Sequence, residues 1–243
     1  MARRRIHQQA ADKPDGPSES EQLHTPLDRA RILEAVLTIL EAEGLAGISM
    51  RKIADTLGVK AAALYYHVKD KEQLLHWLAE RISSEVEFPG KELTWQEQLR
   101  EWALRFRRAL LRYRDAVPIM GATFAATPTR LAHIEYLFRI LAESGFKDKH
   151  IPWLSSMLKN YVFGFVEEES RLTERAKREH LNVDDMDKVY KEQFQSLSRE
   201  LYPHMARLAS HTTATDLDDE FLFGIQVLLN GFEAKLANSH LPG

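Results

Sequence analysis

The chain has 243 residues, of which 44% are hydrophobic and 28% charged, with a net charge of −3. That length supports one or two sizeable cores, and the balance is that of a globular protein, not a disordered or fibrous one. The absence of cysteine excludes disulfides and thiolate metal sites and suits a reducing compartment.

Residues 1–24 read as a disordered arm, polar and interrupted by Pro14, Gly16 and Pro17. Arg3, Arg4 and Arg5 near its tip are followed by Ile6-His7-Gln8-Gln9 instead of the apolar core of a secretory signal. No apolar run approaches the ~20 residues that cross a bilayer, so the sequence reads as soluble and cytoplasmic, without a membrane partner. From Leu27 the pattern turns helical, with Ala30, Leu33, Val36, Leu37 and Leu40 as apolar positions and Gly44 as a left-handed stop. A short helix over Met50–Leu57 follows, N-capped by Ser49 and turned by Gly58, and then another over Ala61–His67. A fourth begins near Asp70, runs toward Glu87 and ends at Pro89-Gly90.

Beyond that break Leu99, Trp102, Ala103, Phe106, Leu110 and Tyr113 form one apolar stripe, with Arg100, Arg107, Arg108, Arg112 and Arg114 pointing outward. Further amphipathic helices fit 130–144, 151–171, 186–210 and Leu217–Ala237, and strand-like alternation is absent. The expected fold is all-α. A helix-turn-helix unit occupies 25–71, and a larger helical domain for ligand and dimerisation occupies 72–243, its first helix (72–88) linking the two.

Residues 51–71 are locally positive, with Arg51, Lys52, Lys60, Lys69 and Lys71 against Asp55 and Asp70. A basic face of this kind is what counterion release at DNA phosphates requires, although a solvated helical face would look the same. The geometry is more telling. Two short helices that cross closely need the Gly58 turn and a small facing residue, Ala54, while Val59 and Leu64 anchor the second helix inward. The outward candidates are then Lys60, Ala61, Ala63, Tyr65 and Tyr66, placed to enter a major groove.

The block "GISMRKIADTLGVKAAALYYHVKDKEQLL" and its place near the N-terminus resemble the TetR family of transcription regulators over about residues 27–80. That resemblance implies base contacts from Arg51 and from the stretch Lys60, Ala61, Ala62 and Ala63. It implies phosphate contacts from Ser49, Tyr65, Tyr66, His67 and Lys71. Arg51 is the candidate for a bidentate guanine contact, and the three alanines can touch thymine methyls but cannot donate hydrogen bonds. Either tyrosine can instead pack in the core, and His67 can serve only as a helix cap. Arg3, Arg4 and Arg5 are solvated tail or a minor-groove arm.

The helix from Trp95 to Arg114 resembles the tetracycline-repressor branch of that family, with Phe106 at a position that lines its pocket. Two departures stand out: Trp102 replaces an Asn that holds the drug, and Met120 replaces a His that ligates the drug-bound magnesium. A thioether is a poor ligand for a hard cation, and Thr123 at another metal-contacting position does not restore the site. The expectation is a metal-free, cofactor-free pocket of Trp102, Phe106, Met120, Thr123, Phe124, Tyr136 and Tyr161 for an apolar or aromatic effector, with ordinary core packing as the plain alternative for each. Asn160, Gly164, Phe221, Gly224, Leu228 and Gly231 resemble the family's dimerising helices, which implies a homodimer on a pseudo-palindromic operator of double-stranded DNA, released by its effector.

An enzyme finds little support. The only Glu-x-x-His spacing is Glu21 with His24 in the arm, His76 and Glu80 lack a third ligand, and neither a nucleophile elbow nor a phosphate loop is present. The remaining alternative is a DNA-binding regulator without a small ligand, controlled by a protein partner or by abundance. A roomy pocket around Trp102, Phe106 and Met120 distinguishes the two.

Overall fold

The computed structural model describes residues 26–211 and 216–237, and these are helical, without strands. Arg3, Arg4, Arg5 and the Glu21–His24 pair lie outside the described residues. None of the helices is long and apolar enough to cross a membrane.

Helices α1 (Arg29–Glu43), α2 (Met50–Leu57) and α3 (Ala61–His67) form the N-terminal unit. Asp28 caps α1 by accepting from the Arg31 N–H at 2.8 Å, and Ser49 caps α2 by accepting from the Lys52 N–H at 3.2 Å. Gly58 takes the left-handed conformation (φ 66°, ψ 29°) that lets α3 turn back across α2. Ile32, Val36, Ile39, Leu40, Ile53, Leu64 and Val68 close the core. The buried stripe of α1 differs from the one read in the sequence: Ala30 is exposed, and Leu33 and Leu37 are half-buried. This helix is apolar on more than one side, and the side facing α2 and α4 is the one that closes.

α4 (Lys71–Ser84) is capped by Asp70 and buries Leu74, Leu78, Ala79 and Ile82 completely. It packs on α1 at one end and on α5 (Trp95–Leu111), α6 (Ala116–Gly121) and α7 (Pro128–Glu143) along its length. It stops at Ser84, well before Pro89-Gly90, because the chain tightens into a turn there and buries Val86. Apolar periodicity does not reveal α6, which is one and a half turns long and carries Pro118. α8 (Ile151–Arg178) is longer than its apolar pattern, and the segment read as one helix over 186–210 is two, α9 (Val183–Gln195) and α10 (Pro203–Leu208). Pro203 opens α10, where its missing N–H costs nothing. α11 (Leu217–Ala237) returns across α8 and α5.

Arg107 does not point outward. It is buried, with its guanidinium bidentate to Glu169 at 2.9 and 3.0 Å and bonded to Asp218 at 2.6 Å. It also lies over the rings of Phe165 and Phe221. Burial opposes its charge, yet the two carboxylates outweigh that and hold its pKa above the ordinary arginine value.

The two units meet at a corner between α5 and α6. Arg114 donates to the carbonyls of Glu41 and Ala42 in the last turn of α1, at 3.1 and 3.2 Å. Asp115, itself in the left-handed region at φ 55°, accepts from the Leu45 N–H at 2.6 Å. Gly44 lies under both (φ 72°, ψ −175°), and a Cβ there would stand 2.7 Å from the Asp115 carboxylate and 3.2 Å from Arg114 Nε. Gly44→Ala is expected to cost about 1–3 kcal/mol through this strained backbone alone, before the clash is counted. Urea unfolding checks this, and a variant within experimental error of wild type would show that the corner relaxes freely.

Candidate DNA-binding surface and effector cavity

α3 is anchored by Leu64, completely buried, and by Val68 just beyond its end, which leaves every other residue of its surface outward. Lys60, Ala61, Ala62, Ala63, Tyr65, Tyr66 and His67 are all exposed, Tyr66 to 87%. Neither tyrosine packs in the core, and the His67 ring stands edge-on to Tyr66 with centroids 5.3 Å apart. Arg51 projects from α2 with its side chain 93% exposed, 3.9 Å from Asp55. The Ser49 hydroxyl already caps α2, and Lys71, the first residue of α4, reaches the Leu45 carbonyl at 3.4 Å. No acidic residue falls between Lys60 and Lys69. This surface presents cations, phenol hydroxyls and a smooth alanine ridge on one short helix, with Arg51 beside it, the arrangement a major groove admits.

A cavity of about 480 Å³ opens in the larger domain among α5, α6, α7 and α8. Trp102 and Phe106 of α5 form one wall, their rings 4.9 Å apart, and Phe163 of α8 lies 5.7 Å beyond Phe106. Met120, Gly121 and Thr123 form another wall, and Phe124 stands at the rim, 84% exposed.

The polar side of the cavity comes from α7. His133 Nδ1 accepts from the Trp102 indole N–H at 3.2 Å, and its Nε2 lies 2.9 Å from the Ser83 carbonyl on α4. A carbonyl accepts only, so the ring carries its proton on Nε2 and is neutral. Burial pushes the His133 pKa down, with the Ser83 carbonyl acting the other way. One helical turn earlier, Arg130 donates to Thr123 Oγ1 at 2.6 Å and to the carbonyls of Met120, Thr123 and Phe124 at 3.0, 3.1 and 3.3 Å. Burial holds its pKa below the ordinary arginine value, against the pull of Glu80. Glu80, on α4, takes the N–H and hydroxyl of Thr129 at the start of α7. Burial alone would raise the Glu80 pKa, but the Thr127 and Thr129 hydroxyls and the N–H groups beside it bring it below the usual carboxylate range.

Five of the seven residues expected at the cavity line it: Trp102, Phe106, Met120, Thr123 and Phe124. Tyr136 and Tyr161 do not. Tyr136 is buried against Phe88, with its hydroxyl toward Pro89 and Gln98, and does not reach the cavity. The Tyr161 hydroxyl donates to the Phe221 carbonyl at 3.1 Å and packs where Gly224 leaves room for it. Phe221, completely buried beneath Arg107, therefore serves the α8–α11 contact within the chain, as does half-buried Gly224 on its Tyr161 side. Asn160, Gly164 and Gly231 are exposed, and Leu228 is half-buried. Arg130, His133, Ser83, Lys159 and Phe163 were missed. The signal was present in α7, where Arg130, His133 and Leu137 share the face that an all-apolar reading would bury.

A helix-turn-helix joined through a linking helix to a helical domain with a roomy cavity is the architecture of a ligand-regulated DNA-binding protein. Residues 32–78 match "Bacterial regulatory proteins, tetR family", and residues 88–236 match "Tetracyclin repressor-like, C-terminal domain". The chain belongs to the TetR family of transcription regulators. It is 32% identical to the class G tetracycline repressor of Vibrio anguillarum over 213 residues, covering 86% of this chain and 95% of that one. It is 29% identical to the transcriptional repressor DrrR1 of Streptomyces coeruleorubidus over 233 residues, covering 91% of this chain and 82% of that one. Among solved structures, apo ActR from Streptomyces coelicolor superposes with a TM-score of 0.76 at 27% identity, covering 88% of this chain and 99% of that one.

The neutral, buried His133 gives stability a pH dependence. The folded state holds its pKa below the ordinary value of 6.5, so protonation favours the unfolded chain. Its contribution is intact above that value and is lost as the pH falls below it. The thermal midpoint of His133→Gln is expected to drop less than that of wild type between neutral pH and mildly acidic pH. Equal drops would show that His133 titrates as it does in water.

Proposed function

We propose that this chain is a repressor that binds a pseudo-palindromic operator as a homodimer and is released when an aromatic effector enters the α5–α8 cavity. The observation that carries this is the wiring between cavity and DNA unit. Trp102 on the cavity wall is bonded to His133, which is bonded to the Ser83 carbonyl of α4, and α4 leads directly to α3. A second route runs from Met120 along α6 to Asp115, which holds the Leu45 N–H beyond α1. A ligand that displaces either wall therefore biases the angle of α3 against its symmetry mate, a population shift between DNA-matched and unmatched conformers. The solved complexes of ActR with actinorhodin and of a point variant of TetR from Acinetobacter baumannii with minocycline supply the precedent for a small-molecule ligand. The size of the cavity also favours this reading over a regulator without a small ligand.

The residues here do not fit a divalent cation. Met120 offers a thioether, and Thr123 already holds the Arg130 guanidinium, a fixed positive charge where a metal would stand. We take the pocket to work without metal.

The test is binding to the upstream intergenic DNA by fluorescence anisotropy across a salt series, with effector candidates added to the preformed complex. Arg51→Ala is expected to weaken specific binding by about 1–3 kcal/mol while leaving non-specific binding nearly intact. Equal effects on operator and random DNA would remove Arg51 from base recognition. Aromatic compounds that dissociate the complex without binding DNA identify effectors, and no release by any compound that fills the cavity would favour the ligand-free alternative.

For the dimer, Trp153 and Met157 of α8 share a surface groove with Val227, Leu228 and Gly231 of α11, and Phe223, Asn160 and Gly164 on the same two helices are exposed as well. Phe223→Glu is expected to convert the dimer to monomer in sedimentation velocity, with helicity unchanged. A dimer that survives would move the interface elsewhere.

A further inference from the structure

The cavity wall is electrically one-sided. Its lining residues include Arg130 and Lys159 and no aspartate or glutamate. Arg130 is buried, and its hydrogen bonds go to uncharged oxygens of Met120, Thr123 and Phe124. Glu80 offsets part of its charge from behind the start of α7, where its carboxylate is held by Thr129 and does not line the cavity. Lys159 places its ammonium 5.4 Å over the ring of Phe163, itself a lining residue, and is paired with no carboxylate among the described residues. The hydroxyls of Thr123, Ser155 and Ser156 complete the polar lining. His133 adds no charge, because it is neutral and both of its nitrogens are engaged. Arg107, buried in the same domain, is by contrast neutralised by Glu169 and Asp218. At Arg130 the balance is incomplete, and a cation held in a low-dielectric wall gains from an anion arriving beside it.

We propose that the cavity takes an anionic aromatic ligand, a ring system bearing a carboxylate, a sulfonate or an ionised phenol. The rings lie against Trp102, Phe106 and Phe163, and the acid faces the Arg130 and Lys159 side. This rests on the reading of the cavity as the effector site and adds the charge of the occupant. The guanidinium on Thr123 then does for a charged ligand what a metal ion does elsewhere: it supplies fixed positive charge at the polar end of an otherwise apolar pocket.

The test uses two fluorescent dyes on the full-length protein: anilinonaphthalene sulfonate, and phenylnaphthylamine, the same rings without the sulfonate. The sulfonate is expected to bind at least about tenfold more tightly, the size of one charge-assisted contact. Lys159→Gln is expected to remove about that factor for the sulfonate alone, and Lys159→Arg to restore it. Ser155→Trp, which puts an indole into the cavity from a buried lining position, locates the dyes: both are expected to lose binding. Equal affinity for the two dyes, with binding lost in Ser155→Trp, would overturn the anion preference and leave the cavity reading standing. Dye binding that survives Ser155→Trp would overturn the cavity reading itself.

Discussion

At the end of α1, two carbonyls and one N–H are satisfied not by their own helix but by Arg114 and Asp115 of the other unit. Everything else in the molecule is arranged around that shared set of bonds. Arg114 places a cation at the negative end of the α1 dipole, and Asp115 is at once the residue that precedes α6 and the acceptor for the Leu45 N–H. The DNA-reading unit is thus fixed to the wall of the cavity as well as to α4. A shift in α6 strains or breaks bonds that α1 cannot replace from within itself.

The two buried arginines show how one residue type serves opposite purposes. Arg107 gathers Glu169 from α8 and Asp218 from α11, which staples three helices together, and its charge is the more stable for it. Arg130 has only carbonyls and a hydroxyl, and burial works against its charge. The first arrangement is architecture. The second leaves an electrostatic demand that the folded chain does not meet.

Legibility in the sequence followed how local each feature is. The helix-turn-helix is specified by caps and turns within a few residues of one another, Ser49, Gly58 and Asp70 among them, and its outward residues follow from Leu64 and Val68 facing in. The apolar half of the cavity, Trp102 and Phe106, is likewise carried by the period of a single helix. The polar half is not. Arg107 reads as a surface residue until partners 62 and 111 positions away are placed beside it, and His133 requires Trp102 and Ser83 from two other helices. Tyr161 was misplaced for the same reason: an aromatic on α8 faces the cavity or α11 depending on a helix rotation that only the packed bundle decides.

The glycine at the α1 corner bears on how such regulators are recombined. Grafting a new DNA-reading unit onto this effector domain is the natural route to a sensor that answers the same chemical at a different promoter. The corner sets a compatibility rule for that exchange. The donor must bring a residue without a side chain at the position of Gly44, and the recipient must keep Arg114 and Asp115, because a Cβ there would collide with the Asp115 carboxylate and crowd Arg114. A hybrid that breaks the rule keeps two intact halves and loses the conversation between them, recognising its promoter and its chemical without letting either know of the other.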